Sequence, residues 1–229
     1  ARDFLQHKRW VWMDYARFGL PVAITDAQWA LVGMLKMVII GQMGKRMINA
    51  AAVTDMMMNL GMLFTSALAG GAAVMVGKAV GQKDYSLVRS YSRTIQILFF
   101  FFGLIMSSLV FLLRVPYISL YNLDADVASL AATMIGISAV TLIGTTYHAS
   151  CFVGINRGAG DNRFVMLVDM ICGWLIVLPV SALAAFVFHW PLYIVYFCTR
   201  IDQTFKWIIA FFRLRGNQWI HNVTREAGV

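Results

Sequence analysis

Charged residues are scarce in this chain of 229 residues: they make up 13% of it, whereas 60% of the residues are hydrophobic. A soluble domain of this size has roughly 25% charged and about 45–50% apolar residues. The apolar excess is too large for a soluble core, so lipid must be the solvent for most of the chain. The composition therefore excludes an ordinary soluble domain and indicates a membrane protein.

Cysteine is rare as well. Cys151, Cys172 and Cys198 lie far apart in apolar segments, and no CxxC or Cys/His ligand spacing occurs. Three scattered thiols argue against a disulfide framework and against zinc, so we interpret them as small core residues. The sequence also has no HExxH, nucleophile elbow or Walker loop. We therefore expect no metal and no organic cofactor.

Six apolar segments are long enough to cross a bilayer, which requires roughly 20 helical residues. They lie at about 18–40, 48–76, 93–114, 126–157, 164–188 and 191–214. The sixth is the least apolar, because Arg200, Asp202 and Lys206 interrupt it. The sequence thus predicts an all-α membrane protein with a six-helix transmembrane bundle at 18–214, a lead-in at 1–17 and a tail at 215–229.

Acidic residues are outnumbered: 11 Asp and Glu stand against 19 Lys and Arg, a net charge of +8. No basic patch stands on a soluble module, so we do not expect nucleic-acid binding. With six spans, most basic residues fall on the side that holds both termini and the second and fourth loops. By the positive-inside rule, both termini are predicted to be cytoplasmic in a multi-pass protein.

In the lead-in, Phe4, Val11, Tyr15 and Phe18 recur at helical spacing, which predicts an interfacial helix.

The first span carries two ionisable residues, which are costly in lipid and often mark transport pathways. Asp26, Trp29, Gly33 and Lys36 follow helical spacing and so form one stripe. Asp26 and Lys36 are ~15 Å apart along the helix axis, too far to neutralise each other directly. No base lies one turn from Asp26. We therefore interpret Asp26 and Lys36 as ion-coupling candidates, and Trp29 and Gly33 as candidates for lining a substrate cavity.

The sixth span contains a further charged group. Lys206 follows Asp202 at i+4, which favours an ion pair, and either a structural or an ion-coupling role for this pair is open. Arg200 and Lys206 are further candidates for lining a cavity. His148, alone in the apolar fourth span, is either a packed residue or a proton-handling group. Asp55 and Asp169 lie near span ends, where we expect structural roles.

Two other features concern helix shape. Pro179 falls in the middle of the fifth span, where it removes a backbone hydrogen bond and predicts a kink. Small residues that allow close helix packing crowd the end of the second span: Ser66, Ala67, Gly70, Gly71, Ala72, Ala73, Gly77 and Gly81.

The segment GINRGAGDNRF at 154–164 joins the fourth and fifth spans and is predicted to be cytoplasmic; we call it the motif loop. Gly158 and Gly160 allow a tight turn, and Asp161 can cap the fifth helix. Arg157 and Arg163 are expected to meet lipid headgroups. Residues 158–161 also fit the GxGD signature of intramembrane aspartyl proteases. That chemistry requires a second aspartate, and the matching YD motif is missing.

Several motifs together resemble the multidrug and toxic compound extrusion (MATE) transporters. The motif loop, with Gly154, Arg157, Gly158, Gly160 and Asp161, is similar to the segment that follows the fourth and tenth helices of that family. The small-residue helix of that family and the loop after it resemble AAVMVGKAVGQKDYSLVRSY here. The proline-led first helix of each lobe resembles GLPVAITDAQWALVGMLKMVIIGQMG. The tail FRLRGNQWIHNVTRE is similar to C-terminal tails of one bacterial subgroup. This tail and the basic lead-in together imply that the chain resembles the C-terminal of the two lobes of such a transporter.

The resemblance implies one lobe of a twelve-helix antiporter in the bacterial inner membrane. Such a protein exports cationic or amphipathic drug-like molecules in exchange for H⁺ or Na⁺. Asp26 falls on the helix where some subfamilies place a coupling acid. Residues Thr145 to His148 occupy the position of a second acid but contain no carboxylate, although His148 could substitute. Lys36 stands where many relatives have an acid or an amide.

One lobe cannot form a cavity between two lobes. We therefore expect either an N-terminal six-helix lobe that is missing from this chain, or a second copy of the chain, as the partner. Three alternative functions stay open: a flippase for lipids or lipid-linked precursors of the same superfamily, a GxGD-type protease, and a purely structural role. The flippase would require a more basic cavity, which Lys36, Arg200 and Lys206 could supply.

Overall fold

The computed structural model describes residues 12–13, 15–216 and 218–221. Most of the predicted lead-in helix at 1–17 and the end of the tail therefore lie outside the described residues. Within them, a π-helical turn at Tyr15–Gly19 leads into the first long helix. All of the regular secondary structure in the described ranges is helical.

Five of the predicted spans are long helices, each apolar and long enough to cross a membrane. They are α1 at Leu20–Gln42, α2 at Lys45–Gly81, α3 at Tyr85–Ile118, α4 at Ala125–Asn156 and α5 at Asn162–Val187. Helix α4 ends in a π-helical stretch, and α5 contains π-helical stretches on both sides of the segment that holds Pro179. A π-helical stretch re-forms backbone hydrogen bonds that proline disrupts.

The sixth predicted span differs from an uninterrupted helix. It consists of α6 at Leu192–Cys198, a 3₁₀ turn at Ile201–Thr204 and α7 at Lys206–Arg215. The break falls on the polar residues that lowered the hydropathy of this segment. A broken helix is tolerated at membrane depth where its backbone lines a cavity instead of lipid. Here the freed carbonyl of Thr199 accepts a hydrogen bond from the Lys36 ammonium, at 3.2 Å.

Helix α4 is the most buried of the five long helices. It packs against α2 and α3 on one side and against the broken sixth segment on the other. Two buried contacts fasten it to that segment: Ser138 and Tyr196 share a hydrogen bond of 2.9 Å, and Thr145 donates to the Gln203 amide oxygen at 3.0 Å. The three cysteines are buried, as their interpretation as core residues requires.

The motif loop packs tightly against α2. Gly160 has a φ of +84°, so the predicted tight turn is confirmed at this residue. A Cβ atom on Gly158 would lie 2.8 Å from the Ala73 carbonyl oxygen, and one on Gly77 would lie 3.2 Å from the Gly158 carbonyl oxygen. The small residues of α2 therefore serve, at least in part, to let this loop approach its backbone.

One expectation about the motif loop is wrong. Asp161 stands at the start of α5, but its side chain makes no capping bond there. Its carboxylate instead accepts two hydrogen bonds from the Arg213 guanidinium, at 2.7 and 2.9 Å, because a forked cation is the stronger partner. Arg157 forms an ion pair with Asp26, and its expected contact with lipid headgroups stays a prediction.

The described part of the tail folds back onto the motif loop. Trp219 is only 2% exposed and packs in a core cluster with Val76, Val80 and Ile155. The His221 amide donates to the Ala159 carbonyl at 2.9 Å. The tail is thus part of the packed core at this end of the bundle.

Replacing Trp219 by alanine should destabilise the protein substantially, because loss of a buried tryptophan typically costs about 3–5 kcal/mol. The melting temperature of the purified protein in detergent measures this loss. Trp190→Ala is the matched control, because Trp190 is 43% exposed. Equal melting temperatures for the two variants would show that the tail is not packed as described.

Gly158→Ala should also lower the melting temperature, because the new methyl group would contact the Ala73 backbone closely enough to displace it. We expect a cost of about 1–3 kcal/mol, as for other overpacked sites. The control is Gly71→Ala on α2, whose Cβ would have no atom within 4 Å. If Gly158→Ala is as stable as Gly71→Ala, the close approach of loop and helix is wrong.

Candidate functional site

Three cavities adjoin the inner face of α1, and Trp29 lines all of them. The loop-side cavity, of about 470 Å³, is bounded by Asp26, His148, Arg157 and Asp169. The Asp55 cavity, of about 250 Å³, also contains Lys36 and Arg200. The central cavity, of about 190 Å³, contains Gln28, Lys36, Asp169, Asp202 and Lys206. The three share walls around Trp29.

The stripe predicted on α1 lies on these walls. Asp26 faces the loop-side cavity, whereas Gly33 and Lys36 face both of the other two. Trp29 stands between them along the helix. The arrangement places an acid and a base on the walls of different cavities that share Trp29, and the roles of the four residues stay predictions.

Asp26 has a basic partner that the sequence did not reveal. Its carboxylate lies 3.2 Å from the Arg157 guanidinium of the motif loop. The Asp26 side chain is 67% exposed, so this pair contributes little to stability. No base lies one turn from Asp26 along the helix, and the base that pairs with it, Arg157, is 131 residues away in sequence.

Lys206 is the centre of a buried group of charges. Its ammonium lies 2.8 Å from Asp202 and 2.9 Å from Asp169, and all three side chains are nearly inaccessible. The predicted pair of Asp202 with Lys206 is confirmed, and Asp169 is a second partner. Gln203 donates to the same Asp202 carboxylate at 2.9 Å. Since a single buried charge is strongly unfavourable, each member depends on the others.

Arg200 faces the Asp55 cavity. Its Nε donates to the Tyr196 hydroxyl at 3.0 Å, and its Nη2 donates to Asp55 at 3.5 Å. Asp55 and Asp169 thus belong to the charged lining of the cavities. From their positions near the span ends, the sequence favoured structural roles for both. Their basic partners on the sixth segment are distant in sequence, so residue spacing within one helix could not predict these ion pairs.

Lys36 differs from the other cavity-lining bases. Among the residues that the structure describes, no carboxylate lies within ion-pair distance of it, and its ammonium donates to the Thr199 carbonyl. Asp202 and Asp55 act on it only at longer range. Lys36 therefore lines two cavities with no carboxylate in direct contact with its ammonium among the described residues.

His148 and Gln28 are buried polar residues on the cavity walls. A ring nitrogen of His148 lies 3.0 Å from the Gly144 carbonyl, and the ring packs edge-on against Phe152. The Gln28 amide has no hydrogen-bond partner within the described protein. Sequence reasoning missed Gln28, although an amide in an apolar span is itself a signal for contact with another helix or with water.

The loops outside the spans hold aspartates with shifted pKa values. Hydrogen bonds from Leu87 and Ser86 hold the pKa of Asp84, at the start of α3, below its usual range. Burial raises the pKa of Asp161, and the Arg213 guanidinium opposes that effect. Among the described residues, the side chain of Asp161 contacts Arg213 and His221 and no second carboxylate, so this geometry gives no support to a protease.

Lys206→Met should destabilise the protein by about 3–5 kcal/mol, because it leaves two carboxylates buried without their cation. The loss appears as a lower melting temperature in detergent. The triple variant Asp169→Asn, Asp202→Asn, Lys206→Met should recover part of it, since it removes all three charges. Lys45→Met serves as the exposed control. A Lys206→Met protein as stable as the wild type would contradict the mutual dependence of the three charges.

A family model described as MatE matches residues 21–183. The chain is 22% identical over 206 residues to an uncharacterized transporter, YisQ, of Bacillus subtilis, an alignment that covers 89% of this chain and 45% of that protein. It is 28% identical over 177 residues to a probable multidrug resistance protein, NorM, of Brucella suis, covering 75% of this chain and 37% of that protein.

A solved structure of a multidrug resistance MATE family transporter of the MOP superfamily, in an outward-facing conformation, has a TM-score of 0.77. The match is 13% identical in sequence and covers 92% of this chain and 47% of that chain, so it shows the fold. This chain spans less than half the length of each of these proteins.

Proposed function

Because the chain belongs to the MatE family, we propose that it forms one six-helix lobe of an ion-coupled multidrug exporter. The family is one of membrane transporters and not of enzymes, and the several apolar helices make the chain a multi-pass membrane protein. The transported molecules would be amphipathic or cationic drug-like compounds. The coupling ion would be H⁺ or Na⁺, and no other cofactor is proposed.

The observation that carries this proposal is the set of charged side chains around Trp29. A bundle that only had to be stable would bury apolar residues there, since ion pairs in lipid are costly to retain. Instead, four carboxylates and four bases line three adjoining cavities. Charges at such positions can bind an ion, and adjoining apolar walls can bind a drug.

Asp26 is the proposed coupling acid. Its carboxylate is accessible from the loop-side cavity, and its one described ionic partner is Arg157. Binding of H⁺ or Na⁺ to Asp26 would weaken its attraction for Arg157, so that the Arg157 side chain could move away from α1. We propose that ion binding at Asp26 also affects the other cavity-lining candidates, Asp202, His148 and Lys36. Ligand binding that favours one arrangement of the lobe shifts the equilibrium between its conformations towards that arrangement.

The lobe requires a partner for alternating access. We propose either a second six-helix lobe, N-terminal in the same transporter, or a second copy of this chain. The exporter would lie in the bacterial inner membrane with both termini in the cytoplasm, as the distribution of Lys and Arg favours.

A second candidate function is a flippase for lipids or lipid-linked precursors. It is favoured by the bases Lys36, Arg200 and Lys206, which together surround Trp29. An anionic headgroup would find these donors. The flippase differs from the exporter in its substrate and not in its fold.

Export of ethidium from membrane vesicles, driven by an imposed gradient of H⁺ or of Na⁺, tests the main proposal. We expect Asp26→Asn to lower the ion-driven rate at least about tenfold, because a neutral amide cannot exchange H⁺ or attract Na⁺; that factor corresponds to 1.4 kcal/mol. Asp126→Asn, at an exposed position far from the cavities, is the control.

Unchanged export in the double variant Asp26→Asn, Asp202→Asn would reject this assignment of the coupling site. Gradient-independent movement of a fluorescent phospholipid, with no ethidium export, would instead favour the flippase.

A further inference from the structure

We infer that the Asp55 cavity is a subsite for an anionic group, a carboxylate or a phosphate, carried on an apolar body and bound by Lys36 and Arg200. The inference rests on the proposed function, in that the cavities around Trp29 receive the transported molecule. It adds that the amphipathic molecules among the substrates include ones that carry an anionic group.

The charges that line the Asp55 cavity are not balanced. Lys36 and Arg200 are positive, and Asp55 is the single carboxylate among the residues described on its walls. Asp55 is already engaged by Arg200, at 3.5 Å. The Lys36 ammonium has a neutral carbonyl as its hydrogen-bond partner. A partly buried ammonium without a nearby counter-charge is unfavourable, so an added anion would be stabilised there.

The acids beyond this cavity do not remove the imbalance. Asp202 and Asp169 are both bound to Lys206 within 2.9 Å, and Gln203 occupies the same oxygen of Asp202. Their attraction for Lys36 acts at a longer distance and is shared with a closer base. An anion in the Asp55 cavity would contact Lys36 directly.

Hydrogen-bond donors are also in excess. An ammonium has three N–H groups and a guanidinium has five. Lys36 uses one donor on Thr199, and Arg200 uses two on Tyr196 and Asp55. The remaining donors of two cations can bind the oxygens of one carboxylate or phosphate, the groups for which guanidinium geometry is suited.

The size and walls of the cavity indicate what carries the anion. About 250 Å³ is below the usual range of roughly 300–1,000 Å³ for drug-sized ligands. Trp29, Met62 and Thr145 line both this cavity and the loop-side cavity of about 470 Å³. A substrate could therefore place its anionic end at Lys36 and its apolar body past Trp29. Amphipathic organic acids and anionic phospholipids share this chemistry.

The test uses 1-naphthylacetate and its uncharged methyl ester, with binding to the purified protein in lipid nanodiscs measured by equilibrium dialysis. We expect the acid to bind the wild type at least about tenfold more tightly than the ester does, as for one charge-assisted hydrogen-bonded pair. Lys36→Met should remove this preference, and Lys36→Arg should keep most of it. Lys45→Met is the control for an exposed lysine.

Ester binding separates loss of the subsite from loss of the fold. Lys36→Met should bind the ester as the wild type does, which shows that the apolar walls are intact. Equal binding of acid and ester by the wild type would overturn the inference, and so would a preference that survives in Lys36→Met.

Two lipid compositions distinguish the sources of the anion. If phosphatidylglycerol weakens naphthylacetate binding relative to phosphatidylcholine, and Lys36→Met abolishes that difference, the subsite accepts a lipid phosphate. If lipid composition has no effect while the preference for the acid persists, the subsite accepts the organic carboxylate. Both results support an anion subsite.

The subsite and the transport proposal can fail separately. Ion-driven ethidium export without any preference for the acid would reject the subsite alone. A preference for the acid without ion-driven export would reject ion coupling and leave the subsite in place.

Discussion

The buried ammonium of Lys206 is the interaction on which the arrangement of the cavities depends. It holds Asp202 of the interrupted sixth segment and Asp169 of α5 at ion-pair distance, in a region from which water and lipid are largely excluded. Without it, two buried carboxylates would have no cation in contact, which is strongly unfavourable. Because the helix is broken beside this group, a backbone carbonyl is free to hold Lys36, and the polar face of α1 obtains its opposite wall.

The motif loop connects α1 with the end of the sixth segment. Through Arg157 it contacts Asp26 on α1, and through Asp161 it holds Arg213 at the end of α7. Its close packing on α2 and the buried Trp219 leave little freedom for independent movement. In the proposed exporter, a change in the charge of Asp26 would act on this packed element through Arg157.

Local spacing predicted what lies within one element. The stripe from Asp26 to Lys36, the ion pair of Asp202 with Lys206 and the turn at Gly160 all follow from helical periodicity or glycine chemistry. Contacts across the fold could not be predicted in this way. Arg157 meets Asp26 only because α4 returns the chain to the start of α1, and no local pattern reports such a contact.

The break in the sixth segment was only partly predictable. Its charges lowered the hydropathy, but their partners lie on other helices, and it is tertiary contact that decides whether a polar stretch bends or stays helical. The same holds for the tail, where an aromatic residue in a polar stretch gave no indication of burial. The family motifs were sufficient to predict the fold. The balance of positive and negative side chains in each cavity could be determined only from the three-dimensional structure.

In the proposed exporter Asp26 binds the coupling ion, so drug binding should respond to that ion through Asp26. Calorimetric titration of ethidium into the purified protein, in buffers of different ionisation enthalpy and with or without Na⁺, tests it most directly. The account predicts either release of about one proton per bound drug or weakening of drug binding by Na⁺, in both cases abolished by Asp26→Asn, because linkage between two ligands is reciprocal. Drug binding that releases no proton and is insensitive to Na⁺ would contradict it.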